Sequence, residues 1–144
     1  MATPGEPASA WLLAGLLGLI ACGGGSPRES VKPLMEADVA PASDAIFNAV
    51  VFVNGRMETA PATDAQWRVV GNHARALGDA GRTLAAGPPG ADNTVWLAQA
   101  AALSTSAREA LQAAEARDVN ALLAAGSRIY DTCTACHARY IIEQ

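Results

Sequence analysis

An all-α fold, an antiparallel up-and-down four-helix bundle, is what the sequence predicts. Three observations predict it. Alanine, the best intrinsic helix former, recurs throughout, while aromatic residues make up only 5% of the chain. Apolar residues return at three-four spacing through four segments, which marks helix faces. The links between the later segments are short, as they are between antiparallel neighbours. The 144 residues suffice for one compact domain and not for two.

The first helix is expected from about 31 to 53. Its face is Val31, Leu34, Met35, Val39, Ala42, Ile46, Ala49, Val50 and Val53. Pro33 is expected in the first turn, where a missing N–H costs little. Pro41 lies inside the pattern and should kink or briefly interrupt the helix. Asn54-Gly55 signals a turn, and residues 56–62 read as loop with a short extended excursion at most. Thr63 and Gln66 have the spacing of a capping box, in which each satisfies a backbone N–H the other leaves orphaned. The second helix then buries Trp67, Val70, Ala74, Leu77 and Leu84, and Gly78 and Gly81 should weaken its far end. Gly87-Pro88-Pro89-Gly90 breaks the helix. Asp92 or Asn93 can cap the third, whose apolar line is Trp96, Ala100, Leu103, Ala107, Ala110, Leu111 and Ala114. Asp118 caps the fourth, which carries Leu122, Gly126, Ile129, Tyr130, Cys133, Cys136, His137, Tyr140 and Ile141 on its apolar side. No strand-period stretch competes, and no internal repeat is visible.

The formal net charge is −4 and the pI about 5.0, with no basic run that could track a phosphate backbone. A nucleic-acid partner is therefore not expected. Ahead of the bundle, residues 11–21 form an apolar stretch too short to span a bilayer and matching the core of a signal peptide. It ends in Leu19-Ile20-Ala21-Cys22, which resembles the lipobox of bacterial lipoproteins. That resemblance implies a signal peptide over 1–21, cleavage before Cys22 and lipidation of Cys22. Residues 22–30, with Gly23-Gly24-Gly25-Ser26, then form a lipid-anchored flexible tether, and 31–144 the helical bundle. The stretch ahead of the apolar run departs from the pattern, since it holds Glu6 and no Lys or Arg. Gly23 after the cysteine favours the outer membrane; without the lipid the protein would be soluble and periplasmic.

Three cysteines are odd in number, yet each has a role. Cys22 belongs to the lipobox-like run. Cys133-Thr134-Ala135-Cys136-His137 is the pattern of c-type haem attachment. Two thiols three residues apart can each add across one haem vinyl group, and the next imidazole can reach the iron. A redox dithiol should open a helix after a strand, and no strand is expected here. A zinc site needs further ligands nearby, and the remaining histidine is His73. One covalent haem c is therefore expected, bound through Cys133 and Cys136 with His137 as proximal ligand.

The motif lies on the apolar face of the terminal helix, and Tyr140 follows the histidine by three residues. This layout resembles the class II c-type cytochromes, the cytochrome c-prime family. The detailed likeness covers the last dozen residues. It departs where the family has a basic residue after the aromatic, since Ile141 stands there and Arg139 precedes Tyr140. Tyr140 either contacts the haem or fills core.

The resemblance implies that the first helix supplies the residue on the other face of the iron. Met35 is the candidate distal ligand, and a thioether raises the potential, which suits electron transfer. A core-filling Met35 is the alternative. Met57 would need its loop to fold inward, His73 borders its helix stripe, and Trp67 and Trp96 suit core or haem-flanking positions. The expected function is periplasmic electron transfer by a single-haem cytochrome with redox proteins as partners. No nucleophile–base constellation suggests an enzyme. An open distal face would instead give a five-coordinate protein binding nitric oxide or carbon monoxide. A haem-free helical lipoprotein is the third reading. The resemblance also admits a homodimer.

Overall fold

The structure is a computed structural model that describes Met1, residues 27–87 and residues 93–140. The signal-peptide reading over 1–21, Cys22, the glycine tether, Pro88-Pro89-Gly90, Asp92 and Ile141 lie outside these residues. The fold is an all-α helical bundle of four rods. The first rod comprises α1 (Pro27–Leu34), a π-helical turn (Met35–Val39) and α2 (Ala40–Phe47). A hairpin, β1 (Val51–Val53) and β2 (Arg56–Thr59), leads to α3 (Asp64–Ala86). The remaining rods are α4 (Thr94–Ala116) and α5 (Val119–Tyr140). Among the described residues no helix is long and apolar enough to cross a membrane.

The first rod differs from expectation at both ends. It starts at Pro27, so Pro33 lies inside α1 rather than in its first turn. Ahead of Pro41 the α-helix is briefly interrupted, as expected, by the π-turn, and Pro41 lies in the first turn of α2. The backbone stays right-handed helical through Val39 and Ala40, and the Ala40 N–H donates to the carbonyl of Met35, five residues back. The wider π-turn directly ahead of Pro41 accommodates a residue that has no N–H to return and a ring that crowds the preceding turn.

The rod ends at Phe47, not at residue 53. Asn48 closes it, with both its backbone and side-chain N–H groups donating to the Asp44 carbonyl, at 2.9 and 2.8 Å. Val51–Val53 is a strand, and so is part of the stretch expected to be loop, Arg56–Thr59. Asn54 and Gly55 take left-handed backbone at φ 50° and 77°, the conformation of a two-residue hairpin turn. Val53 pairs with Arg56 and Phe52 with Met57. The β-branched run Val50-Val51 with Phe52-Val53 beside Asn-Gly prevails over the helical periodicity of those valines.

The three later rods match expectation closely. Thr63 and Gln66 form the capping box, and Asn93 and Asp118 accept from the N–H groups of Val95 and Ala121. Asn93 rather than Asp92 is the observed cap of α4. Arg117, at φ 57°, ends α4 in a left-handed residue, so that α5 begins immediately. Helices α3 and α4 run antiparallel: Gly71 faces Leu111, Gly78 faces Ala107 and Gly81 faces Ser104. The core runs along α3, α4 and α5, with Leu77, Ala107, Leu122 and Ile129 fully buried. Tyr130, expected on the buried side of α5, is 62% exposed and meets the edge of Phe47 at 6.4 Å. The exposed pairs Arg75–Glu115, Arg117–Asp64 and Arg128–Glu109 tie neighbouring elements at the surface, where each contributes at most about 1 kcal/mol.

Candidate functional site

Positions 136 and 137 lie three and four residues beyond 133, about one helical turn, so α5 presents Cys133, Cys136 and His137 on one side. All three line a cleft of about 220 Å³. Met35, at the start of the π-turn, lines the same cleft. The first rod adds Val39 and Ser43, the end of α3 adds Leu84, and α4 adds Trp96, Gln99 and Leu103. The lining is overwhelmingly apolar.

Trp96 organises the cleft's far wall. It is buried, and its Nε1 donates to the Leu84 carbonyl at 2.8 Å. Leu84 sits in the last turn of α3, where its carbonyl also accepts from the Gly87 N–H at 3.3 Å, so the Trp96 bond is its second and joins α3 to α4. Tyr140 packs edge-on against Trp96 at 5.1 Å, and the Arg139 guanidinium lies 5.9 Å from the Tyr140 ring centre. Tyr140 thus stands behind Trp96 rather than among the lining residues of the cleft. Met57 is exposed on β2, and His73 is partly exposed on α3; neither lines the cleft. Trp67 is buried in α3, also away from it.

Burial raises the Cys133 thiol above its ordinary range, and the neighbouring Cys136 adds to this against a smaller opposing backbone hydrogen bond. Burial likewise raises Cys136. Both are free thiols. They are therefore protonated at neutral pH, unlike the lowered thiolate of a redox dithiol. They also sit near the end of a long helix rather than at its start. Among the described residues no group of three His, Cys, Asp or Glu side chains is arranged to hold a metal ion on its own.

Two buried hydroxyls, Ser43 Oγ and Tyr140 Oη, lack hydrogen-bond partners among the described residues. Ser43 faces the cleft, and the sequence reading passed over it. A signal was there: a serine stands between Ala42 and Ile46 on an otherwise apolar helix side. Leu84 and Gln99 come from the ends of other helices, and periodicity along one segment says nothing about such convergence.

The donor set fits a covalent haem. Two thiols one turn apart, an adjacent imidazole, a thioether from another rod and an apolar lining are what such a group needs. No family model, no curated protein and no solved structure matches this chain.

Proposed function

We propose that this chain is a single-haem c-type cytochrome that transfers electrons in the bacterial periplasm. One observation carries the reading: Cys133, Cys136, His137 and Met35, drawn from the two ends of the bundle sequence, line one apolar cleft. Cys133 and Cys136 would hold the group through thioethers, and His137 would bind its iron. The bound haem supplies a one-electron ferric–ferrous couple. Met35 offers a soft sulfur donor from the opposite rod, which favours the reduced state. Val39, Ala100 and Leu103 make the wall of the cleft apolar, which disfavours water beside a bound group. His137 is solvent-exposed at the cleft's edge, which suits passage of electrons to a redox partner protein without either fold opening. Lipidation of Cys22 would hold the domain at a membrane, the outer membrane by the residue that follows, and keep it near its partners.

The test is a haem stain of the full chain, matured in a bacterial periplasm and run on a denaturing gel. Staining that survives denaturation is expected for the wild type. Cys133→Ala and Cys136→Ala should each reduce it severalfold, and the double variant should abolish it. An unstained wild-type band, from cells that attach haem to a control cytochrome, overturns the reading.

A further inference from the structure

The β1–β2 hairpin stands off the bundle. Val50 at its base is buried, whereas every residue from Phe52 to Thr59 is exposed. Phe52, Val53 and Met57 are 48, 48 and 53% exposed, so the projection carries three apolar side chains into solvent. Among the described residues no third strand joins the two. A lone hairpin is marginally stable, and its outer edges hold unpaired backbone groups that are a template for another strand. Val53 and Arg56 flank the two-residue turn, and residues so placed exchange hydrogen bonds across a hairpin. The next pair, Phe52 and Met57, is the non-bonded one, so Met57 turns its N–H and C=O away from β1. Arg56 and Glu58 flank Met57 with opposite charges, and among the described residues neither is in an ion pair. The register shift beside Val51 also leaves Glu58 without a partner on β1.

We infer that the outer edge of β2 is a self-association surface, on which a second copy of this chain lays its own β2 antiparallel about Met57. The charge pattern selects this occupant and this register. Arg56-Met57-Glu58 is self-complementary: pairing centred on Met57 sets each Arg56 opposite Glu58 of the other copy. Sliding the strands by two residues either way sets Arg56 opposite Arg56, or Glu58 opposite Glu58, and like charges directly opposite are destabilising. The centred arrangement has two-fold symmetry, as a closed pair requires. At its centre each Met57 N–H donates to the Met57 carbonyl of the other copy, which uses the groups that face outward. Phe52 and Met57 share a face of the hairpin, so the two copies join their apolar side chains into one stripe across four strands. The overlap is short and the ion pairs are exposed, so the association is weak and reversible. It involves neither the cleft nor the haem.

The test is disulfide trapping of the full chain in a bacterial periplasm, an oxidising compartment, read on a non-reducing gel. The wild type sets the background from Cys22, Cys133 and Cys136. Met57→Cys should give a linked dimer well above it, because the paired Cα atoms would lie about 5.5 Å apart, within disulfide reach. Thr59→Cys is equally exposed on the same strand, but its two copies would lie roughly 14 Å apart. It should give at least about fivefold less dimer. Adding Arg56→Glu to Met57→Cys should lower the dimer about three- to tenfold, and adding Glu58→Arg as well should restore it, since the exchanged charges match again. Equal dimer from Met57→Cys and Thr59→Cys overturns the inference, as does a Met57→Cys dimer indifferent to Arg56→Glu. A Met57→Cys chain that stays monomeric, or that links to a different protein in place of itself, overturns it too. The haem stain is unaffected by any of these outcomes, so the two readings stand or fall separately.

Discussion

Met35 and His137 lie near opposite ends of the described chain, yet they share one cleft. The two halves of the candidate site were not equally legible in the sequence. Cys133, Cys136 and His137 are local: the helix period alone brings them together, so five consecutive residues specify them. Met35 was suggested only by the family resemblance, because its proximity depends on how the first rod docks, which no local spacing conveys. Ser43 was not found, since a small polar residue on an apolar stripe is unremarkable until the cleft behind it is known. The Met35 assignment makes a residue-scale prediction. Met35→Leu nearly conserves volume, so it should cost less than about 1.5 kcal/mol of stability. It removes the sulfur donor, so the haem-bearing ferrous protein should become high-spin, bind carbon monoxide readily and show a lower reduction potential. An absorption spectrum and potential identical to the wild type would return Met35 to the role of core filler.

Helices α3 and α4 illustrate what an element's period conveys and what it hides. The stripe of Trp67, Val70, Ala74, Leu77 and Leu84 was readable, and all five are buried. The glycines were readable only as weak points, because helix propensity is a property of one segment. Packing separates them. A Cβ on Gly81 would run into the Ser104 hydroxyl and lie 3.0 Å from the Ser104 backbone nitrogen and 3.1 Å from the Ala100 carbonyl oxygen. The backbone atoms cannot step aside singly. A Cβ on Gly78 would meet the Ala107 Cβ at 3.8 Å, an ordinary contact. The two substitutions should therefore have opposite signs. Gly78→Ala should stabilise by about 0.5–1 kcal/mol, through helix propensity. Gly81→Ala should destabilise by roughly 1–2 kcal/mol, since overpacking outweighs the same gain. Urea midpoints at unchanged slope would measure both, and a stabilised Gly81→Ala would refute the close approach of α3 and α4. The hairpin was misread for a related reason. Valines at 50, 51 and 53 satisfy either period over so short a run, and the two-residue Asn54-Gly55 turn decides between them only when both flanks are considered together.

At the scale of the molecule, the four rods are not equally joined. α3 packs along the length of α4, and α4 along α5, whereas the first rod meets α3 and α5 over shorter stretches. The cleft opens where the first rod and α5 would otherwise pack, between Met35 and Cys136. At about 24 cal/mol per Å³ of cavity, 220 Å³ corresponds to a penalty of roughly 5 kcal/mol if it stayed dry and closed, and less where water enters the mouth. A haem attached to α5 would fill this space and give the first rod a surface to rest on. Removing it should therefore loosen one rod rather than the whole bundle. Amide hydrogen exchange can read this rod by rod. In the haem-free Cys133→Ala/Cys136→Ala chain, amides of residues 35–47 should exchange about ten to a hundred times faster than in the haem-bearing wild type, equivalent to about 1.4–2.7 kcal/mol of lost local stability. Amides in the middle of α3 and in the second half of α4 should change less than threefold, because the cleft touches their shared interface only at one end, through Leu84, Trp96, Ala100 and Leu103. A uniform acceleration through all four rods would mean that the bundle is one cooperative unit whose stability the cleft does not partition. Unchanged exchange over 35–47 would mean that the first rod is held by Val39, Ala42 and Ile46 alone.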